Sequence, residues 1–119
     1  MIKTITLRKN VEFIKVFSKG MVYHGSIVVM YLKGNYKNIN RLGIVVSKKT
    51  GKSVVRNRIK RLIRENYRLM EQRLKTGYDI VFLWRSKNPK EMASFVKIKE
   101  AMENLCRKAD ILKREVVED

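Results

Sequence analysis

The sequence predicts a single α+β domain with the element order α-β-β-α-β-α. Three runs of β-branched and aromatic residues are too short for helices, and three other segments repeat apolar residues at three- and four-residue spacing. A length of 119 residues is typical of one domain. A hydrophobic content of 45% can fill a modest core without disulfides or metal. We therefore expect residues 1–119 to form one domain.

The first half of the chain predicts a helix followed by two strands. Residues 10–19 repeat apolar side chains at helical spacing, and Gly20 provides a stop signal. Residues 26–33 form a continuous apolar, β-rich run, which predicts a strand buried on both faces. The turn-like segment 34–40 leads to a second strand over 41–47, and this short connection predicts a hairpin.

The second half predicts a long helix, a third strand and a closing helix. A helix is expected over 53–74, with Ser53 as its N-cap. A third strand is predicted over 78–85, and the apolar spacing of 91–108 predicts an amphipathic helix. The residues after Asp110 are expected to fray.

The charge of the chain predicts a polyanionic partner. Twenty-eight Lys and Arg residues against eleven Asp and Glu residues give a net charge of +17, and such self-repulsion opposes a compact state. Residues 1–64 carry a net charge of +15, whereas residues 65–119 carry +2. A surface selected only for solubility would mix the signs. Nucleic acid is the expected partner, and an anionic membrane surface is the alternative.

The helix predicted over 53–74 has an apolar face and a basic face. At about 100° per residue, one arc carries apolar side chains: Val55, Ile59, Leu62, Leu69 and Met70. A second arc of about 140° carries polar and basic side chains: Arg56, Asn57, Lys60, Arg61, Arg64 and Arg68. Arg58 lies between the arcs. A solvated face usually alternates charge signs, but no acid here precedes Glu65, which favours phosphate binding.

The start of this helix provides a second candidate phosphate site. Its unpaired N–H groups and positive dipole end should lie beside Lys48, Lys49 and Lys52. The order strand, Gly51-Lys52-Ser53, helix also invites comparison with a P-loop, which needs a glycine five positions before Gly51. Val46 occupies that position, so a P-loop is excluded.

The segment 54–65, V-V-R-N-R-I-K-R-L-I-R-E, resembles the Arg-Asn-Arg signature of the bacterial ribonuclease P protein family. Residues 13–20, 43–51 and 77–79 match as well, so the resemblance covers roughly residues 5–108. It implies an α-β sandwich in which the long helix joins two parallel strands by a left-handed crossover, against the usual hand. It also implies an endoribonuclease subunit that helps a catalytic RNA to remove the 5′ leader of precursor tRNA.

The resemblance assigns two RNA-binding surfaces. The surface for the catalytic RNA would comprise Arg56, Asn57, Arg58, Lys60, Arg61 and Arg64. The cleft for the single-stranded leader would use Phe13, Phe17 and Tyr31, with Ser47, Lys48 and Lys52 near its rim. Aromatic rings stack unpaired bases, and lysines follow the backbone. From their spacing alone, Phe13 and Phe17 favour a buried core face instead.

No catalytic group of the protein itself is evident. His24 and Cys106 are single, so neither a Cys/His nucleophile pair nor a zinc cluster is expected, and His24 is expected at the surface or a strand edge. The resemblance implies that Mg²⁺ is held mainly by the RNA subunit. A lone cysteine fits a reducing compartment, and no apolar run reaches the roughly 20 residues of a membrane span. A cytoplasmic location is expected.

Two other functions stay open at this point. A small basic ribosomal protein would bind folded RNA without preferring precursor over mature tRNA. A stand-alone metal-dependent nuclease would cleave without an RNA partner, although the acidic residues show no paired-carboxylate spacing. The expected partners are the catalytic RNA and precursor tRNA, with no membrane and no further protein required.

Overall fold

The computed structural model describes residues 3–113 and, for residue 90, the backbone only. Five strands form one sheet: β1 (Thr4–Thr6), β2 (Met21–His24), β3 (Val28–Gly34), β4 (Asn40–Val45) and β5 (Tyr78–Trp84). Three helices pack on it: α1 (Asn10–Lys19), α2 (Ser53–Met70) and α3 (Phe95–Lys108). Short 3₁₀ turns cover Lys48–Thr50, Glu71–Arg73 and Lys90–Met92. The predicted α+β class is confirmed. No helix among the described residues is long and apolar enough to span a membrane.

The strand β5 is central and is buried on both faces. The sheet order is β1-β4-β5-β3-β2, and β5 pairs parallel with β4 and antiparallel with β3. Ile80, Val81 and Phe82 are each 0% exposed. Because side chains alternate along a strand, Ile80 and Phe82 join the core beneath α2 and α3, whereas Val81 packs with α1. A strand covered on both faces needs such a continuous apolar run.

The hairpin predicted between the strands of residues 26–33 and 41–47, which correspond to β3 and β4, is wrong. β3 and β4 follow one another in the chain, but β5 lies between them, so that Asp79 is the register partner of both Lys33 and Arg41. β4 and β5 are neighbours and parallel, with α2 connecting them, as the family resemblance implies. A short connection favours a hairpin, but the largely apolar β5 gains more burial in the middle of the sheet than at its edge.

Two edge strands were not predicted. β1 and β2 have three and four residues, and each presents apolar side chains to solvent, with Ile5 51% and Met21 65% exposed. Strands that are so short and half exposed give no periodic signal. His24 ends β2 and is exposed, which confirms its predicted place at a strand edge.

The helix boundaries differ from the prediction at three ends. Ser53 is the first helical residue of α2, and Lys52 occupies the N-cap position without a side-chain capping bond, so the N-cap role predicted for Ser53 is wrong. α2 ends at Met70 and is followed by a 3₁₀ turn, instead of continuing to Leu74. α3 begins at Phe95, later than predicted. α1 has the predicted bounds.

The chain stays ordered beyond the end of α3. The prediction that the chain frays after Asp110 is wrong for residues 111–113. Ile111 is 0% exposed, and its carbonyl accepts a 2.7 Å hydrogen bond from the Lys75 N–H. Residues 114–119, which that prediction also covers, lie outside the described residues.

The buried face of α2 is rotated from the predicted apolar arc. Ile59 and Met70 are buried as predicted, but Leu69 is 59% exposed. Ile63 and Tyr67 are buried in its place, each 0% exposed. The rotation brings polar groups into the core, and each finds a partner.

Two of these partners are far away in the sequence. The Tyr67 hydroxyl forms a 2.8 Å hydrogen bond with the Thr4 hydroxyl of β1. The Asn66 amide donates to the carbonyl oxygens of Leu62 at 3.0 Å and Phe95 at 3.2 Å. Buried polar groups are tolerated when they are hydrogen-bonded, so α2 is anchored both to the sheet edge and to α3.

An ion-pair cluster joins α1, β4 and β5 on the α1 side of the sheet. Arg41 donates to both carboxylate oxygens of Asp79, with Nε–Oδ1 at 2.7 Å and Nη2–Oδ2 at 2.6 Å, and also to Glu12 of α1. The Asn35 amide donates to Asp79 at 3.0 Å. Burial acts to raise the pKa of Asp79, but the hydrogen bonds from Arg41 and Asn35 outweigh it, and the pKa is lowered.

Replacing Arg41 by Met is expected to lower the free energy of unfolding by about 2–4 kcal/mol at neutral pH, because it leaves the Asp79 charge buried without its main partner. The pKa of Asp79 is lower in the folded state than its unfolded-state value of about 4. The stabilisation by the Arg41–Asp79 pair is therefore complete above the unfolded-state pKa, and it is lost as the pH falls through the folded-state pKa. Urea unfolding of both proteins should therefore show a difference that shrinks in acid. Equal stability of wild type and Arg41→Met at neutral pH would contradict the stabilising role of this ion pair. Arg61→Met, which replaces an exposed arginine, is the control.

Candidate nucleic-acid interface

α2 turns a basic face away from the sheet. We define this basic face as Arg56, Asn57, Arg58, Lys60, Arg61 and Arg64. Asn57, Arg58, Arg61 and Arg64 are exposed, whereas Arg56 and Lys60 are half-buried at its margin. Arg56 Nε donates to the Gly51 carbonyl at 3.1 Å, which holds its guanidinium near the start of the helix.

The charges of the basic face are not neutralised within the described part of the chain. Among residues 3–113, no carboxylate lies within ion-pair distance of any of its five bases. Arg68, also predicted to bind RNA, differs because it pairs with Glu65, and its hydrogen bond lowers the pKa of that carboxyl. The basic face therefore offers guanidinium groups to an external anion, and Arg68 offers a partly compensated one.

The loop before α2 places three lysines at the surface. Lys48, Lys49 and Lys52 are exposed, and Gly51 between them has a φ of +150°, which a residue with a Cβ rarely adopts. Lys52 stands at the N-cap position, where the first N–H groups of the helix are unpaired. This arrangement provides the cationic side chains and unpaired N–H groups that the predicted anion site requires.

Lys48 and Lys49 also line an open groove of about 720 Å³ at the carboxyl ends of β4 and β5. Ser47 lies in the same groove, as do Arg85 and Lys87. Lys52 does not line it among the described residues. Sequence patterns did not indicate Arg85 and Lys87. The signal that could have found them is the parallel pairing of β4 and β5, which puts the residues after both strands at one edge.

The three aromatic residues predicted for the cleft form one cluster between α1 and the sheet. The ring centroids of Phe17 and Tyr31 are 4.7 Å apart in an edge-to-face arrangement, and those of Phe13 and Phe17 are 6.4 Å apart. The Phe13 ring lies directly on Gly43, where an added Cβ would be 2.4 Å from Phe13 Cε1. Glycine at this position lets the ring reach the sheet.

The cluster is not a closed core. Val16, with 0% exposure, is the buried residue of α1, whereas Phe17 is 37% exposed and Phe13 and Tyr31 are half-buried. The interpretation of Phe17 as a core residue is therefore wrong, and Phe13 both packs on the sheet and supports Phe17. The aromatic cluster, Phe13, Phe17 and Tyr31, presents ring surface to solvent.

The aromatic cluster and the lysine-lined groove lie on the same face of the sheet. Tyr31 and Val29 are two positions apart on β3, so their side chains share a face, and Val29 lines the groove. Aromatic surface and lysines thus follow one another across a single open face. This combination suits an unpaired nucleic-acid strand, whose bases can stack while its phosphates meet cations.

Neither a metal-ligating cluster nor a reactive thiolate forms among the described residues. Within residues 3–113 no group of three or more His, Cys, Asp or Glu side chains converges to hold a metal ion. Cys106 is fully buried, and burial raises the pKa of its thiol to about 12, so it is not a thiolate nucleophile at neutral pH.

Comparisons with known proteins show the family to which the chain belongs. The ribonuclease P family model matches residues 1–110. A ribonuclease P protein component of Clostridium botulinum (strain Langeland) is 48% identical over 106 residues, which cover 88% of this chain and 94% of that protein. One of Clostridium perfringens (strain 13) is 45% identical over 121 aligned residues, with 95% and 94% covered.

Solved structures show the same fold. The ribonuclease P protein of Staphylococcus aureus superposes with a TM-score of 0.81 at 32% identity, covering 91% of this chain and 97% of that one. The protein of Thermotoga maritima gives a TM-score of 0.79 at 32% identity, covering 87% and 96%. The chain therefore belongs to the ribonuclease P protein family, whose members act with an RNA subunit to remove the 5′ leader of precursor tRNA.

Proposed function

We propose that the chain binds two RNAs through two separate surfaces. The basic face of α2 binds the catalytic RNA subunit, and the aromatic cluster with the lysine-lined groove binds the single-stranded leader of precursor tRNA. The observation that carries this proposal is the placement of the two surfaces. α2 packs on one face of the sheet, and the aromatic cluster lies on the other. One protein can therefore contact both RNAs at once.

Arginine chemistry supports the role of the basic face. A guanidinium presents a planar fork of donors that matches phosphate oxygens and guanine edges, and it stays charged at any physiological pH. Like charges one turn apart, such as Lys60 and Arg64, weaken an isolated helix by a few tenths of a kcal/mol. Without a counter-charge among the described residues, this repulsion is relieved when RNA binds.

The open sheet face supports the role of the aromatic cluster. Duplex RNA hides the faces of its bases, so half-exposed rings recognise an unpaired segment. Stacking on an aromatic ring tolerates any base, because every base has a π-face. A leader that varies in sequence between tRNA precursors needs a site of this kind.

We also propose that the catalytic Mg²⁺ is held by the RNA subunit. The described acids do not fit a protein-held ion, because Glu12 and Asp79 are engaged by Arg41 and no carboxylate cluster forms among residues 3–113. The cationic surfaces of the protein would lower the repulsion between the two RNAs and so reduce the Mg²⁺ that cleavage requires. We place this activity in the cytoplasm, without a further protein partner or a membrane.

Arg61→Ala and Arg64→Ala are expected to weaken binding to the catalytic RNA while the melting temperature stays nearly constant, because both side chains are exposed. Each lost phosphate contact should also reduce the slope of log affinity against log salt by about 0.9 if it contacts duplex. Ile59→Ala should do the opposite and cost about 2–5 kcal/mol of stability. Binding and thermal melting measure both effects.

Arg107→Ala on α3 is the matched control, because that exposed arginine is paired with Glu103. It should leave the affinity for the catalytic RNA unchanged. Variants of the basic face that bind like wild type, or that unfold, would show that α2 does not present this face to RNA.

Phe17→Ala and Tyr31→Ala are expected to weaken binding of precursor tRNA to the assembled enzyme by about 1–3 kcal/mol, because one stacking ring is lost. Mature tRNA has no leader, so its affinity should not change. Tyr36→Ala removes a fully exposed tyrosine outside the cluster and is the control. Equal weakening toward both tRNAs, or a large melting loss with unchanged discrimination, would mean that the rings only stabilise the fold and do not bind the leader.

A further inference from the structure

We propose that a pocket beside the start of α2, the α2 pocket, receives an unstacked pyrimidine base of the catalytic RNA. This inference rests on the proposed docking of α2 on that RNA and adds a specific contact to it. The α2 pocket is on the opposite side of the sheet from the aromatic cluster, and among the described residues it shares only Trp84 with the lysine-lined groove. Its other walls include the first turns of α2, so we assign it to the RNA that docks on α2.

The α2 pocket forms where the first turns of α2 meet the segment between β5 and α3. Its walls are mainly apolar, with Val55 and Ile59 from α2, Trp84 from the end of β5, and Ala93 just before α3. Its volume is about 160 Å³. A cavity of about 150 Å³ holds a benzene-sized ring, so the α2 pocket has room for one six-membered ring.

Polar and exposed groups at the α2 pocket also suit a base. Thr50 lines it, and the buried Thr50 hydroxyl has no hydrogen-bond partner among the described residues. Buried hydroxyls are normally paired, and the edge of a pyrimidine offers both donors and acceptors. Val54, also in the wall, is 78% exposed, an unusual apolar surface within a basic region.

The charge around the α2 pocket selects RNA over an apolar protein segment. None of the described residues that line it is acidic, and Arg58 of the basic face is one of them. Arg61 follows three positions later on the same helix, so it lies one turn away. Phosphates held by these two arginines would keep the attached nucleotide close to the opening, and an unpaired base can turn into the apolar space.

Trp84 is the only tryptophan of the chain, and it lines both the α2 pocket and the lysine-lined groove. Variants that change only the α2 pocket therefore decide whether a change in its emission comes from the α2 pocket. The full chain is titrated with the catalytic RNA of a bacterial ribonuclease P, and RNA affinity and Trp84 emission are recorded together. We expect contact with the base to quench the emission as RNA binds. Ala93→Leu, which fills the α2 pocket, should remove the quenching and weaken binding by about 5–150-fold, the loss typical of one bound base.

A second variant keeps the test valid if Ala93→Leu does not fold. Val54→Ser changes an exposed wall residue and should reduce both quenching and affinity, whereas Val96→Ser, the same change at a 60% exposed site on α3, should alter neither. If RNA binds tightly without changing Trp84 emission, and Val54→Ser binds like wild type, the proposal that the α2 pocket receives a base is overturned. The proposal that the basic face binds RNA would then still stand. Absence of RNA binding would overturn both proposals. If Trp84 emission changes with protein concentration in the absence of RNA, the α2 pocket contacts a second copy of this chain. That result would overturn the proposal that the pocket receives an RNA base.

Discussion

The burial of β5 on both of its faces determines where the helices can lie. Ile80 and Phe82 require cover on one side and Val81 on the other, so α2 and α3 occupy one face and α1 the other. With ten residues, α1 is about 15 Å long, whereas five strands spaced about 4.8 Å apart span more than that. One helix cannot cover the whole second face, so the aromatic cluster stays partly exposed beside α1 and the groove stays open.

The same arrangement links stability to function through the Arg41 cluster. Arg41 and Asp79 are paired across β4 and β5, and the contact of Arg41 with Glu12 holds the first turn of α1. Phe13 is the next residue of that helix, and its ring lies on Gly43, two positions after Arg41 on β4. The ion pairs that secure the sheet therefore also set the position of the rings that are proposed to stack the leader.

Local patterns predicted what local forces determine, and they failed where distant partners decide. The bounds of α1 and the apolar run of β5 follow from spacing and composition, whereas the rotation of α2 depends on the bond between Tyr67 and Thr4, 63 positions apart. The hairpin prediction failed because β5, more than 30 residues further along the chain, enters between its two strands. At the site, the aromatic residues came from the family resemblance, and spacing alone favoured a core. Arg85 and Lys87 become part of the groove only through parallel pairing.

The central claim, two RNA surfaces with separate roles, is tested most directly by cleavage of precursor tRNA at low Mg²⁺ with the catalytic RNA and each protein variant. Changes on the basic face, such as Arg61→Ala, should raise the protein concentration needed for half-maximal activity and leave the KM of the saturated enzyme unchanged. Changes in the aromatic cluster, such as Tyr31→Ala, should raise the KM for precursor tRNA and leave the protein requirement unchanged. If both kinds of variant shift the same parameter, or if the RNA cleaves equally well without the protein, the two-surface claim is contradicted.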